Sequence, residues 1–114
     1  MDGGPGVTQP GSCWVVLDGR EIPLKESENI IGRDPEAIVR LNLPSVSRRH
    51  ARIAVTSTVA FVEDLGSKNG TFLKKDRIVR RVQLADLDEL EIGSARLLVR
   101  ILSREAPTQT LPGA

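Results

Sequence analysis

His50-Ala51-Arg52-Ile53-Ala54-Val55-Thr56, closed by Ser57-Thr58 and answered by Val59-Ala60-Phe61-Val62-Glu63-Asp64, is the stretch that decides the fold. In the first run Ala51, Ile53 and Val55 fall on one face, with Arg52 and Ala54 on the other. The return run sets Val59, Phe61 and Glu63 opposite Ala60 and Val62. A period of two belongs to a strand, whose successive side chains point to opposite faces. Two such runs around a short polar turn read as a hairpin.

The same reading extends outward. Residues 13–17 are apolar, Asp18-Gly19 is a hairpin turn, and residues 20–24 alternate. Two short apolar runs, 29–31 and 38–41, are separated by a loop holding Asp34-Pro35. Residues 71–73 and 77–82 flank a polar turn at 74–76, and residues 89–92 and 96–102 pair around Gly93-Ser94. No segment keeps an apolar 3.6-residue period for three turns; residues 84–90 allow one short turn and no packed helix. Many short strands with frequent turns predict an all-β chain folded as an antiparallel β-sandwich or barrel. The loops then cluster at the rims of a rigid frame.

The Gly/Pro-rich residues 1–12 predict a disordered leader, and residues 105–114 a flexible C-terminal tail in which Thr108 and Thr110 are candidate phosphorylation targets. Residues 13–104 are left as one domain, large enough for one core. A net charge of +1 argues against a general polyanion binder. The only cysteine, Cys13, forbids an internal disulfide and leaves a zinc site without thiolate partners. No metal or other cofactor is expected. The N-terminus lacks the basic and apolar regions of a signal peptide, and every apolar run is far shorter than the ~20 residues that cross a bilayer. The expected location is the cytoplasm.

Three motifs lie at predicted strand ends: Gly32-Arg33, Ser47-Arg48-Arg49-His50 and Gly66-Ser67-Lys68-Asn69-Gly70-Thr71. Together they are equipment for gripping an anion. A phosphate monoester carries about −1.5 to −2 charge and three acceptor oxygens. Arg33 offers a guanidinium fork, and Ser47 a hydroxyl donor beside backbone N–H groups. Arg48 and Lys68 add charge from the two flanking loops. Asn69, at once donor and acceptor, suits a peptide backbone. Gly66 and Gly70 permit the tight turns such a loop requires. Ser47 and His50 read poorly as nucleophile and base, because Ser47 has no glycine-rich elbow; His50 reads as a brace for the loop before it and Arg49 as a solvated neighbour.

These motifs, in this order, resemble those of the forkhead-associated (FHA) domain. The matching segments are Ile30-Ile31-Gly32-Arg33-Asp34, Val46-Ser47-Arg48-Arg49-His50-Ala51, Glu63-Asp64-Leu65-Gly66-Ser67-Lys68-Asn69-Gly70-Thr71-Phe72-Leu73, and the spaced residues Leu84, Leu87, Glu89, Glu91, Ile92, Gly93 and Ser94. The resemblance spans residues 14–102 and is nearest to bacterial examples. It implies a sandwich of about eleven strands that recognises phosphothreonine peptides with loops at one rim. It further implies that Arg33 and Ser47 contact phosphate, that Arg48 and Lys68 line the phosphate site, and that Asn69 holds the peptide backbone. Gly32, His50 and Gly70 are implied to shape the loops. Departures occur where the family often has Asp-Gly-Asp and this chain has Asp86-Leu87-Asp88, where Lys74-Lys75-Asp76 replaces an Asn-Gly hairpin, and at Lys68, often Thr or Ser.

The function expected is therefore a phosphothreonine-dependent interaction module in Ser/Thr kinase signalling, non-enzymatic, whose partner is a phosphothreonine-containing protein or peptide. The alternative is a phospho-independent FHA scaffold, which has no need of Arg33, Ser47 and Asn69. Nucleic-acid binding through residues 68–81 is disfavoured, because Phe72 is the only aromatic there and no groove-reading helix is present. No membrane contact is expected.

Overall fold

The structure, a computed structural model, describes residues 13–102. The expected leader (1–12) and tail (105–114), with Thr108 and Thr110, lie outside the described residues. The described strands are β1 (Cys13–Leu17), β2 (Arg20–Pro23), β3 (Glu28–Gly32), β4 (Val39–Arg40), β5 (Ala51–Val55), β6 (Ala60–Asp64), β7 (Thr71–Leu73), β8 (Asp76–Arg77), β9 (Val82–Gln83), β10 (Glu89–Ile92) and β11 (Ala95–Ile101). They form two sheets, ordered β9-β6-β5-β3-β4 and β2-β1-β11-β10-β7-β8. There is no helix among the described residues.

Alternation builds the core. Ala51, Ile53 and Val55 of β5 turn inward with Ala60 and Val62 of β6, as their period of two predicts. Cys13 and Val15 of β1, Leu90 and Ile92 of β10, and Ala95, Leu97 and Val99 of β11 meet them from the other sheet. Asn29 of β3 is polar and fully buried. Its amide donates to the carbonyls of Lys25, Ser27 and Ile53 and accepts from the Lys25 amide, so its burial leaves nothing unpaired.

Two local expectations are corrected. The sandwich is not wholly antiparallel: β3 and β4 pair in parallel, Ile31 opposite Val39, because the 33–38 loop carries the chain back to bury Val39 at the sheet edge. Residues 77–82 are not one strand. β8 belongs to the six-stranded sheet and β9 to the five-stranded one, so residues 78–81 cross between sheets. Ile78 anchors that crossing, with its side chain buried and its amide bonded to the Thr71 carbonyl at 2.9 Å.

Register brings the loops together. Ile31 lies opposite Ala51, and Ala51 opposite Asp64, so β3 ends, β5 begins and β6 ends side by side. In the other sheet Thr71 lies opposite Ile92, which lies opposite Ala95. The loops that leave these ends share one rim.

Candidate functional site

Loop 33–38 follows β3, loop 41–50 precedes β5, and loop 65–70 joins β6 to β7. The first two are laced by backbone bonds, Arg33 N–H to Ser47 carbonyl (3.0 Å) and Asp34 N–H to Arg48 carbonyl (3.1 Å). Gly32 makes this approach possible: a Cβ there would stand 2.0 Å from the Arg48 carbonyl oxygen. The need is for space, because its φ is not among the positive ones.

His50 joins the second loop to the third. It is fully buried, accepts the Ser47 N–H at Nδ1 (3.0 Å) and meets the Gly70 carbonyl at Nε2 (2.8 Å). A carbonyl can only accept, so Nε2 carries the proton and the ring is the neutral Nε2–H tautomer. Ser47 is thereby held by its backbone and its hydroxyl is left free of the ring. That hydroxyl oxygen accepts the Lys68 N–H at 3.1 Å, and its own proton is still available to donate.

Arg33 is half-buried, and its Nε donates to the Val46 carbonyl at 2.9 Å. The stem is aimed by that bond, and neither terminal guanidinium nitrogen has a hydrogen bond among the described residues. Asn69 is exposed and donates through Nδ2 to the Ser45 carbonyl at 2.8 Å, which leaves Oδ1 as an unengaged acceptor. Arg48, Arg49 and Lys68 are exposed, and none of them forms an ion pair among the described residues, nor does Arg33. The rim thus concentrates positive charge without ion-pair partners around the Ser47 hydroxyl and the Asn69 amide oxygen.

The structure adds residues that the motifs did not single out. Asp64 organises the third loop: its carboxylate accepts from the amides of Gly66 and Ser67 (2.9 Å each), from the Ser67 hydroxyl (2.5 Å) and from the Thr71 hydroxyl (2.7 Å). Partial burial pushes its pKa up, but the Ser67 and Thr71 hydroxyls and the Ser67 and Gly66 amides outweigh this and hold it below the ordinary 3.8. Ser67 Oγ in turn accepts the Gly70 N–H, and both Gly66 and Gly70 adopt positive φ, +77° and +87°. An Asp with Gly two residues on, as Asp64 and Gly66 are, is an Asx-turn signature, so this hub had a local signal. Ser45 had none. Its Oγ accepts the Ser94 amide at 2.8 Å across 49 positions of sequence, tying the rim of one sheet to the β10–β11 turn of the other. No group of His, Cys, Asp and Glu among the described residues could hold a metal ion.

The FHA domain family model matches residues 29–93, more than half of the chain and all three motif-bearing loops. The chain belongs to the FHA family. Among curated relatives, the FHA domain-containing protein FhaA of Mycobacterium tuberculosis is 42% identical over 83 residues, which covers 73% of this chain and 16% of FhaA. The chain therefore spans one FHA domain of a much longer relative. An FHA domain solved in a structural and functional analysis of phosphothreonine-dependent FHA domain interactions superposes with a TM-score of 0.76 at 40% identity, covering 79% of this chain and 96% of that one. The FhaA FHA domain complexed with the intracellular domain of Rv3910 superposes with a TM-score of 0.74 at 40% identity, covering 78% of this chain and all of that one. The two-sheet architecture of this chain is the FHA β-sandwich.

Proposed function

We propose that this FHA domain is a phosphothreonine-dependent protein interaction module, and that Arg33, Ser47, Arg48, Lys68 and Asn69 form its phosphopeptide site. The observation that carries this reading is the convergence of Arg33, Ser47 and Lys68 on one rim, with Arg33 and Lys68 unpaired among the described residues and the Ser47 hydroxyl proton uncommitted. A dianionic phosphate supplies the acceptors that these donors lack. Asn69, pinned at Nδ2, presents Oδ1 to a peptide N–H. The 40%-identical domain studied for phosphothreonine-dependent interactions supports the choice of ligand, and the complex of the FhaA domain with the intracellular domain of Rv3910 supports a protein partner, which we place in Ser/Thr kinase signalling.

A hydrolytic role is disfavoured by the geometry. His50 takes the Ser47 backbone N–H, whereas a general base would face the hydroxyl. Cys13 is no better a nucleophile: burial, with Asp86 adding to it, pushes its thiol up to about 11. A phospho-independent scaffold would leave the unpaired cations of the rim without purpose. No helix among the described residues is long and apolar enough to cross a membrane, and we place the module in the cytoplasm, where kinases supply phosphothreonine.

The test is calorimetric titration with a phosphothreonine peptide library and its unphosphorylated twin, for wild type and Arg33→Ala. Only the phosphorylated peptides should bind the wild type. Loss of a bidentate charged partner costs about 2–5 kcal/mol, so micromolar binding becomes undetectable in the variant. Arg33→Ala should also lose about 1 kcal/mol of stability with its bond to the Val46 carbonyl. A variant that binds like wild type would place the phosphate elsewhere and end this reading.

A further inference from the structure

Charge beside the phosphate rim is not exhausted by the site. Lys74, Lys75, Arg77, Arg80 and Arg81 crowd residues 74–81, whose only carboxylate is Asp76. The two lysines are answered from β10 and the turn before it, Lys74 by Asp88 (3.5 Å) and Lys75 by Glu91 (3.8 Å). The arginines are not. Arg77, Arg80 and Arg81 form no ion pair among the described residues.

These arginines line a groove of about 700 Å³ with Ile78, Val79, Glu63 and Asp64. Both acids are already engaged. Glu63 bonds Arg52 at 2.6 Å, and Asp64 bonds the donors of its own loop. The groove therefore presents net positive charge to solvent. It is also held in shape. Buried Ile78 anchors the crossing, Val79 stands 82% exposed at its crest, and the Arg81 guanidinium lies over the Phe61 ring, 4.3 Å from its centroid. Most important is its continuity with the site. Arg77 packs against Gly70, close enough that a Cβ there would meet its Nε at 2.9 Å, and Gly70 adjoins Asn69.

We infer that the Arg77–Arg80–Arg81 groove is a second docking site for the same peptide, selecting ligands whose chain beside the phosphothreonine carries an anionic stretch. The chemistry it reads is negative charge, from clustered carboxylates or from a second phosphorylated residue. This rests on the phosphopeptide reading and gives it a specificity. Exposed charge contacts are individually weak, so two or three of them together should raise affinity about three- to tenfold at low salt. The gain should shrink with ionic strength.

The experiment titrates one phosphothreonine peptide in four forms: neutral flanks, three aspartates before the phosphothreonine, three aspartates after it, and a second phosphothreonine on the favoured side. Each is run against wild type and against Arg80→Glu/Arg81→Glu. Arg77 is left alone because it abuts Gly70. Wild type should bind at least one aspartate peptide about three- to tenfold tighter than the neutral one, and the second phosphate should match or exceed that gain. The double variant should bind the neutral peptide as wild type does and lose the gain. Equal affinities of wild type for all four forms would overturn the groove while leaving the phosphate site standing. Failure of the neutral phosphopeptide to bind wild type would overturn both. Phosphatidylserine vesicles that retain wild type and release the variant, with no discrimination among peptides, would assign the loop to a membrane surface and overturn the inference.

Discussion

Gly32→Ala probes the joint on which both the fold and the rim depend. The new methyl would lie 2.0 Å from the Arg48 carbonyl oxygen, 2.7 Å from its carbon and 2.9 Å from the Ser47 carbonyl oxygen. All three are backbone atoms, so no side chain can swing aside. The loop must retreat by more than an ångström, and the bonds from the Arg33 and Asp34 amides to these same carbonyls stretch beyond use. Two backbone bonds at about 1 kcal/mol each, with ~1–3 kcal/mol for overpacking, give a loss of about 3–5 kcal/mol. For a domain of this size each kcal/mol is worth about 4–8 °C, so the melting temperature should fall by at least about 12 °C. Displacement of Ser47 and Arg48 should also weaken phosphopeptide binding in the variant that remains folded at low temperature. Paired thermal melts and 10 °C titrations would measure both. A variant within 0.5 kcal/mol of wild type (the ordinary scatter of surface substitutions), with unchanged affinity, would refute the argument that close approach is what makes this residue glycine.

Three further outcomes are expected. The Asp64 carboxyl has a depressed pKa in the folded state, so its contribution is complete above the ordinary 3.8 and disappears as pH falls through the lower folded value. Urea midpoints should therefore drop below about pH 4 in wild type, and the gap between wild type and Asp64→Asn should narrow there; a constant gap from pH 6 to 2 would contradict this. Phosphothreonine should be preferred to phosphoserine, since one buried methyl is worth roughly 0.8 kcal/mol and β-branching restricts the rotamer; equal affinities of matched peptides would count against it. The β7–β8 turn places two lysines at positive φ, Lys74 at 51° and Lys75 at 72°. Replacing Lys75 by Gly should stabilise the domain by about 1 kcal/mol in chemical denaturation, because the relief of left-handed strain exceeds the loss of its exposed ion pair with Glu91; Lys74 is kept, since it answers the buried Asp88 carboxylate.

Much of this protein is written in short-range pattern. The hairpin of residues 51–64 was legible because alternation is a property of neighbours, and burial of Ala51, Ile53, Ala60 and Val62 follows from it. The three binding-loop motifs are local too: each needs its own few residues at a turn, and their presence at strand ends can be read without knowing what the strands face. The resemblance they carry implies the family and its sandwich from sequence alone.

Other features depend on packing between segments distant in the chain. That residues 77–82 divide between two sheets turns on Ile78 finding the core, a matter of packing to which the local alternation is blind. Gly32 is indispensable because another loop's carbonyl occupies the space of its missing Cβ. Ser45 reaches Ser94 and His50 reaches Gly70 only once the two sheets have closed. Sequence chose the donors at the rim. Closure of the sandwich decided which of them are spent on one another and which, like the Arg33 fork and the arginines of residues 77–81, are left facing solvent.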